Sequence, residues 1–210
     1  MDAIGAVIFD FGNVVAFFDY RLACDRLGAR VGRDGRELME RARAAGLLPL
    51  VREFETGRIA EDEFCRRACG LAGLDGVEPE EFAAAWQDIF TQNEPVARLI
   101  ERLDEAGVPL VLGSNTNALH ARWFRRQFAE VLDRFNHLVL SHEVGHAKPD
   151  AEFYRACVAR AETPARSCLF VDDLEENAAG ARAAGLQAWV YRDAGSLATY
   201  LEGRGVLANR

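Results

Sequence analysis

The sequence predicts an α/β fold: a doubly wound, Rossmann-like parallel sheet with an all-helical segment inserted after its first strand. Three features of the 210 residues point there. Five short apolar runs are spread along the chain, and helical patterns lie between the later ones. A long stretch of helical pattern without strand signals separates the first run from the rest. The length suits one such sheet plus an accessory element.

The first run, Ala6-Val7-Ile8-Phe9, is continuously apolar rather than alternating, as in a strand covered on both faces. Residues 15–92 then read as helical. Phe64, Ala68 and Leu71 fall at i, i+4 and i+7, and Phe82, Trp86, Ile89 and Phe90 at i, i+4, i+7 and i+8. This makes residues 1–14 and 93–210 the α/β core and residues 15–92 an inserted helical domain. Asn93-Glu94-Pro95 opens the next helix, Val96, Leu99, Ile100 and Leu103 line its buried face, and Gly107 closes it. The remaining strands are expected at Pro109–Leu112, His137–Leu140, Cys168–Val171 and Ala188–Tyr191. A helix at Glu175–Ala184 is closed by Gly185 before the last of them.

Half of the chain is hydrophobic and 28% is charged, a globular composition that excludes a disordered or fibrous chain. With 33 acidic against 25 basic residues and a net charge of −8, it has no general attraction for nucleic acid or anionic lipid. The expected partner is a small molecule, and any anionic group on it needs positive charge supplied locally. No run approaches the roughly 20 apolar residues that span a bilayer. Met1-Asp2-Ala3-Ile4 lacks a basic leader region. Cys24, Cys65, Cys69, Cys157 and Cys168 lack CxxC spacing and sit among apolar neighbours, so reduced, buried thiols of a cytoplasmic protein are expected. The Arg122–Arg126 stretch reads as a solvated helix face, and the chain as a monomer or weak homodimer.

Polar residues gather at the carboxyl ends of the expected strands: Asp10-Phe11-Gly12-Asn13, Gly113-Ser114-Asn115-Thr116 and Asp172-Asp173. Lys148 follows the third core strand within Gly145-His146-Ala147-Lys148-Pro149-Asp150. In an open parallel sheet these ends converge on one crevice. A carboxylate leaving a buried strand is costly unless a cation faces it. Asp10 with Asp172 and Asp173 therefore reads as an oxygen-only divalent site of the kind that suits Mg²⁺. Each residue alone fits a helix N-cap, but that reading is weak for all of these positions together.

Four ordered motifs result: Ile8-Phe9-Asp10-Phe11-Gly12-Asn13-Val14, Leu112-Gly113-Ser114-Asn115, Lys148-Pro149, and Phe170-Val171-Asp172-Asp173 with Asn177. In these the chain resembles the haloacid dehalogenase (HAD) superfamily, and the helical insertion matches the cap that one branch carries after strand one. More narrowly, Asp10-Phe11-Gly12-Asn13-Val14, Ser114-Asn115-Thr116-Asn117 and Phe54-Glu55-Thr56-Gly57 resemble the branch containing bacterial α-D-glucose-1-phosphate phosphatases. The resemblance implies Mg²⁺-dependent hydrolysis of a small phosphate ester, sugar phosphates included, through an aspartyl-phosphate on Asp10. It implies Mg²⁺ on Asp10, the Gly12 carbonyl, Asp172 and Asp173, with Asn13, Ser114 and Asn115 binding substrate and Lys148 offsetting the remaining phosphoryl charge.

One position departs from the pattern. Most phosphatases of this family carry a second aspartate two residues after the nucleophile, as general acid and base; here Gly12 stands there. Proton transfer of that kind is worth about 10²–10⁴-fold. The enzyme is expected to use leaving groups that need little protonation, such as an anomeric oxygen, or to recruit another group. Asp19 is the candidate, set against its alternative as an N-cap. Trp86, Phe54 and Arg52 are the cap residues to examine for specificity, although aromatic residues at helix spacing are usually core.

Three rival readings remain. His142-Glu143-Val144-Gly145-His146 spells HExxH, but a zinc site needs both histidines on one continuous helix, and Gly145 and Pro149 argue against one. His142 and His146 are expected in a loop, with His146 near enough to Lys148 to touch substrate. A 2-haloacid dehalogenase of the same fold has no use for Asp172 and Asp173. A non-catalytic phospho-ligand binder has only Gly12 in its favour. Finally, 24 arginines accompany a single lysine, Lys148. A compact ammonium on a slim stem is implied where a planar guanidinium does not fit.

Overall fold

The computed structural model describes residues 2–208. In chain order its elements are β1 (Ala6–Phe9), β2 (Ala16–Phe18), α1 (Tyr20–Val31), α2 (Gly35–Ala44), α3 (Leu47–Glu55), α4 (Glu61–Ala72), α5 (Pro79–Gln87), β3 (Phe90–Gln92) and α6 (Glu94–Glu105). There follow β4 (Leu110–Ser114), α7 (Ala118–Gln127), α8 (Ala129–Leu132), β5 (His137–Leu140), α9 (Ser141–Val144) and α10 (Ala151–Ala161). The chain ends with β6 (Cys168–Asp172), α11 (Glu175–Ala183), β7 (Gln187–Val190) and α12 (Ala194–Gly203).

Five strands form one parallel sheet in the order β5-β4-β1-β6-β7. The connection turns one way from β1 to β4 and the other way to β6, so β1 lies at the topological switch point, where open α/β sheets bind ligands. β1 is fully buried on both faces. Val7 and Phe9 pack with Val96, Ile100, Phe124 and Leu197 on one side. Ala6 and Ile8 pack with Phe153, Cys157 and Ala181 on the other. This double cover explains why the strand sequences are continuously apolar.

The helices begin where short polar side chains satisfy their first amides. Asp34 accepts from the amides of Arg36 and Glu37, and Asn117 from that of His120. Glu78 and Glu81 form a reciprocal capping box across the first turn that begins at Pro79. Helices α1–α5 enclose a separate apolar cluster built on Leu50, Phe54, Phe64, Phe82 and Trp86, which also takes in Leu119 of α7. The insertion is thereby docked onto the sheet domain. Arg122 of α7 reinforces the seat with two 2.9 Å hydrogen bonds to Glu61 of α4, so part of the arginine stretch read as a solvated face is an inter-element contact.

The expectation that residues 15–92 hold no strand is corrected. β2 and β3 pair antiparallel, Ala16 opposite Gln92 and Phe18 opposite Phe90, where the chain leaves and re-enters the core. α5 ends at Gln87, so Ile89 and Phe90 leave the helix whose period they continued. Three-residue strands are too short to show an alternating pattern, and the pairing joins segments more than seventy residues apart. Asn93 fastens this junction: its amide donates to the Val14 carbonyl at 2.8 Å and to the Tyr191 hydroxyl at 3.0 Å. The five cysteines are free, as expected, but Cys24 is only partly buried. No described helix is long and apolar enough to cross a membrane.

Candidate active site

The carboxyl ends of β1, β4 and β6 and the loop after β5 meet at a cavity of about 300 Å³, lined on its floor by Asp10, Asn13, Ser114, Asn115, Lys148 and Asp173. Lys148 is the centre of the floor. Its ammonium lies 2.6 Å from Asp10 Oδ1 and 2.7 Å from Asp172 Oδ2, and only 2% of the residue is exposed. Burial alone lowers a lysine pKa, but the Asp10 and Asp172 carboxylates outweigh it and hold Lys148 above its ordinary value. Burial raises Asp10; Lys148 opposes the shift and Asp172 adds to it, leaving the carboxyl at about 7.

Each acidic group has its orientation set. Asp10 Oδ1 accepts from the Phe11 amide at 2.7 Å as well as from Lys148. The Asn177 side chain at the first turn of α11 donates to both oxygens of Asp172, at 2.9 and 3.1 Å. Asn13, in the left-handed region at φ 57°, where asparagine is tolerated, donates to Asp173 Oδ2 at 3.1 Å. Oxygens of Asp10, Asp172 and Asp173 all lie within 4.8 Å of one another. A hard-oxygen set of this kind, with Gly12 also lining the cavity, fits a divalent cation.

One expected residue, Asn115, acts through the backbone of another. The Asn115 side chain accepts from the Lys148 amide at 2.8 Å and donates to the Lys148 carbonyl at 3.1 Å, clamping the lysine from both sides. Ser141, after β5, exchanges hydrogen bonds with the amide and carbonyl of Thr116, tying the loop after β4 to that after β5. Ser114 is buried and faces the cavity.

Several candidates are placed elsewhere. Asp19 caps α1, and its carboxylate is held by the amide and guanidinium of Arg21 on the exposed surface. Those Arg21 bonds lower its pKa, and it does not line the cavity, which is the opposite of what a proton donor needs. Phe54 and Trp86 are core: Phe54 stacks on Phe64 at 4.3 Å, and Trp86 on His120 at 5.7 Å. Arg52 reaches the Lys148 carbonyl at 3.5 Å rather than the cavity. His142 and His146 do not share a helix, because α9 ends at Val144 and Gly145 turns left-handed at φ 75°. His146 is exposed and lies off the cavity wall.

The sequence did not place the wall opposite the floor at the site: Glu55 stood there only within the Phe54–Gly57 stretch and Phe90 only in a helical period. Phe18, Tyr20, Glu55, Phe90 and His120 form that wall. Their elements come together only through the β2–β3 pair and the docked insertion, so no linear spacing marks them. A Cβ at Gly12 would lie 3.0 Å from Phe18 Cε1, so the ring occupies the approach that a longer side chain at position 12 would use. His120 is fully buried, its Nε2 donating to the Trp86 carbonyl and its Nδ1 facing the Asn117 amide. Burial holds its pKa down at about 4, so the ring is neutral.

A phosphatase of Mycobacterium tuberculosis is 28% identical, covering 97% of this chain and 99% of its own. A sesquiterpene phosphatase of Aspergillus oryzae is 29% identical over 94% and 93%, and a D-ribitol-5-phosphate phosphatase of Bacteroides thetaiotaomicron 25% over 81% and 84%. Among solved structures, a HAD family enzyme of Bacteroides thetaiotaomicron in complex with magnesium and inorganic phosphate superimposes with a TM-score of 0.75 at 24% identity. That likeness covers 90% of this chain and 94% of the other. The family model of haloacid dehalogenase-like hydrolases matches residues 4–185, and the chain belongs to that family.

Proposed function

We propose that the chain is a Mg²⁺-dependent phosphomonoester hydrolase acting on a small phosphorylated metabolite, a sugar phosphate in its narrower form. In this reading residues 15–92 are a cap over a core of residues 1–14 and 93–210. The enzyme works in the cytoplasm as a monomer or weak homodimer. One observation carries the reading: the carboxylates of Asp10, Asp172 and Asp173, from the ends of β1 and β6, gather with the buried Lys148 ammonium, from the loop after β5, at the floor of one small cavity. The named activities of the three phosphatase relatives, and the magnesium and phosphate bound by the solved neighbour, agree with it.

Asp10, the Gly12 carbonyl, Asp172 and Asp173 would hold the ion. When bound, it neutralises phosphoryl charge and orients the phosphorus toward a carboxylate that would otherwise repel it. Asp10 Oδ1 is engaged by Phe11 and Lys148, which leaves Oδ2 as the attacking atom. An Oδ2–phosphorus bond forms as the ester oxygen leaves with its electron pair, and water then cleaves the acyl phosphate to return the carboxylate. Lys148 and Ser114 stabilise the charge on the transferred group, and Asn115 positions Lys148. With glycine at position 12, leaving groups of low basicity, such as an anomeric oxygen, are favoured.

The test is phosphate release from p-nitrophenyl phosphate, whose leaving group needs no proton. Activity that appears with Mg²⁺, disappears with EDTA and is absent from Asp10→Asn is expected. Metal-independent chloride release from a 2-haloacid would establish the dehalogenase instead, and neither activity would leave a binding protein.

A further inference from the structure

The wall facing the catalytic floor carries two polar groups that the mechanism does not use. Glu55 is the last residue of α3, and Tyr20 the first of α1. Both line the cavity, and among the described residues neither the Glu55 carboxyl nor the Tyr20 hydroxyl has a hydrogen-bond or ion-pair partner. Both residues are half-buried at the cavity, so a ligand that displaces water there must itself supply their partners.

Their placement is built rather than incidental. The Thr56 hydroxyl bonds back to the Arg52 carbonyl at 2.8 Å and closes α3. Gly57, at φ 67°, brings the chain so close to the next segment that a Cβ would lie 2.5 Å from the His142 carbonyl oxygen. Glu55 is thus held against the core between Arg52, which touches Lys148, and Gly57, which touches His142. Tyr20 is fixed by its ring, 4.9 Å from that of Trp86 and 5.5 Å from that of Phe18. Around the two polar groups the wall is aromatic, from Phe18, Phe90 and His120. A few convergent polar groups on an apolar wall are the form of a small-molecule subsite, and about 300 Å³ lies at the small end of the range.

Resting on the phosphatase reading, we propose that Glu55 and Tyr20 form the leaving-group subsite and select phosphate esters of polyhydroxylated alcohols, a sugar or polyol whose hydroxyls pair with both groups. The aromatic rings then cover the C–H faces of that alcohol. An anionic leaving group meets the Glu55 carboxylate unfavourably, and a hydrocarbon leaves both groups unpaired. A site built to bind a hydroxyl discriminates far more strongly than one that only fits shape. Burial also pushes Glu55 up to about 7, despite Arg52 and Lys148 nearby, so near neutral pH it both donates and accepts.

The experiment compares kcat/KM for a pentitol 5-phosphate with that for farnesyl monophosphate in wild type, Glu55→Leu, Glu55→Gln and Tyr20→Phe. Wild-type hydrolysis of p-nitrophenyl phosphate serves as the reference for the reaction itself. The polyol-to-farnesyl ratio is expected to fall at least tenfold in Glu55→Leu and about fivefold in Tyr20→Phe, which deletes one hydroxyl and nothing else. Glu55→Gln, which still donates and accepts, is expected to keep most of the ratio. A general loss of folding or activity lowers both esters together, so it does not move the ratio. An unchanged ratio in both Glu55→Leu and Tyr20→Phe overturns the subsite while wild-type turnover stands. Absence of phosphate release from every ester in wild type overturns the phosphatase reading and the subsite with it.

Discussion

Replacing Lys148 by arginine keeps the charge and changes its shape, which isolates what the floor of the cavity demands. The ammonium now contacts Asp10 and Asp172 at 2.6 and 2.7 Å, its backbone is clamped by Asn115, and it sits 5.5 Å from the Phe170 ring centroid. A guanidinium is longer and planar, so with the backbone fixed it either loses one carboxylate or extends into the space of the phosphoryl group. A lost hydrogen bond to a charged group is worth about 1.5–3 kcal/mol, and removal of one transition-state donor costs about 10²–10³-fold. The expected result for Lys148→Arg is a fall of about 10²-fold in kcat/KM for p-nitrophenyl phosphate. Overpacking at this fully enclosed position should cost about 1–3 kcal/mol of stability, leaving the protein folded. Lys148→Met is the control: it leaves two buried carboxylates without their cation and should cost about 3–5 kcal/mol in metal-free buffer. Steady-state kinetics with Mg²⁺ and urea denaturation without it give both numbers. Lys148→Arg turning over within threefold of wild type would falsify the shape argument.

Three further outcomes are expected. Asp19→Asn should leave the pH–rate profile unchanged, because the carboxylate is exposed, bound to Arg21 and outside the cavity; a lost or shifted limb would return it to the mechanism. Asp19→Ala should cost about 1 kcal/mol through the lost cap. For His120, the folded pKa is depressed to about 4 from an ordinary 6.5, so between those values the unfolded chain binds a proton that the native state refuses. Its contribution is therefore complete above 6.5 and is lost as pH falls toward 4, at up to about 1.4 kcal/mol per pH unit. Stability curves of wild type and His120→Gln, which keeps a donor for the Trp86 carbonyl, should converge by about 3 kcal/mol over that window. Parallel curves would show that the ring is not held neutral.

The floor of the site was legible from the sequence because of how strands and charges behave. Asp10, Ser114, Lys148, Asp172 and Asp173 follow apolar runs at positions that a parallel sheet brings to one edge. That statement needs only the order of elements. The narrower roles of Asn115 and Asn177 were not legible, because an amide that clamps a backbone has the same sequence signature as one that faces a ligand. The aromatic candidates Phe54 and Trp86 resolved to core, since periodicity reports burial and not what a residue is buried against. Asp19 resolved to a cap because its carboxylate meets the Arg21 amide and guanidinium, a local pairing that competes with any catalytic use.

What the sequence by itself determined is the α/β core, its strand-end carboxylates and the single lysine, because strand burial and charge cost are local and follow the chain. What only the tertiary structure decided is the opposite wall. Phe18, Tyr20, Glu55, Phe90 and His120 come from β2, α1, α3, β3 and α7, and they share one cavity only after two three-residue strands pair and the insertion docks on α7. Contacts of that separation leave no period in the sequence, since each residue's spacing is fixed by its own element and its neighbour by the fold.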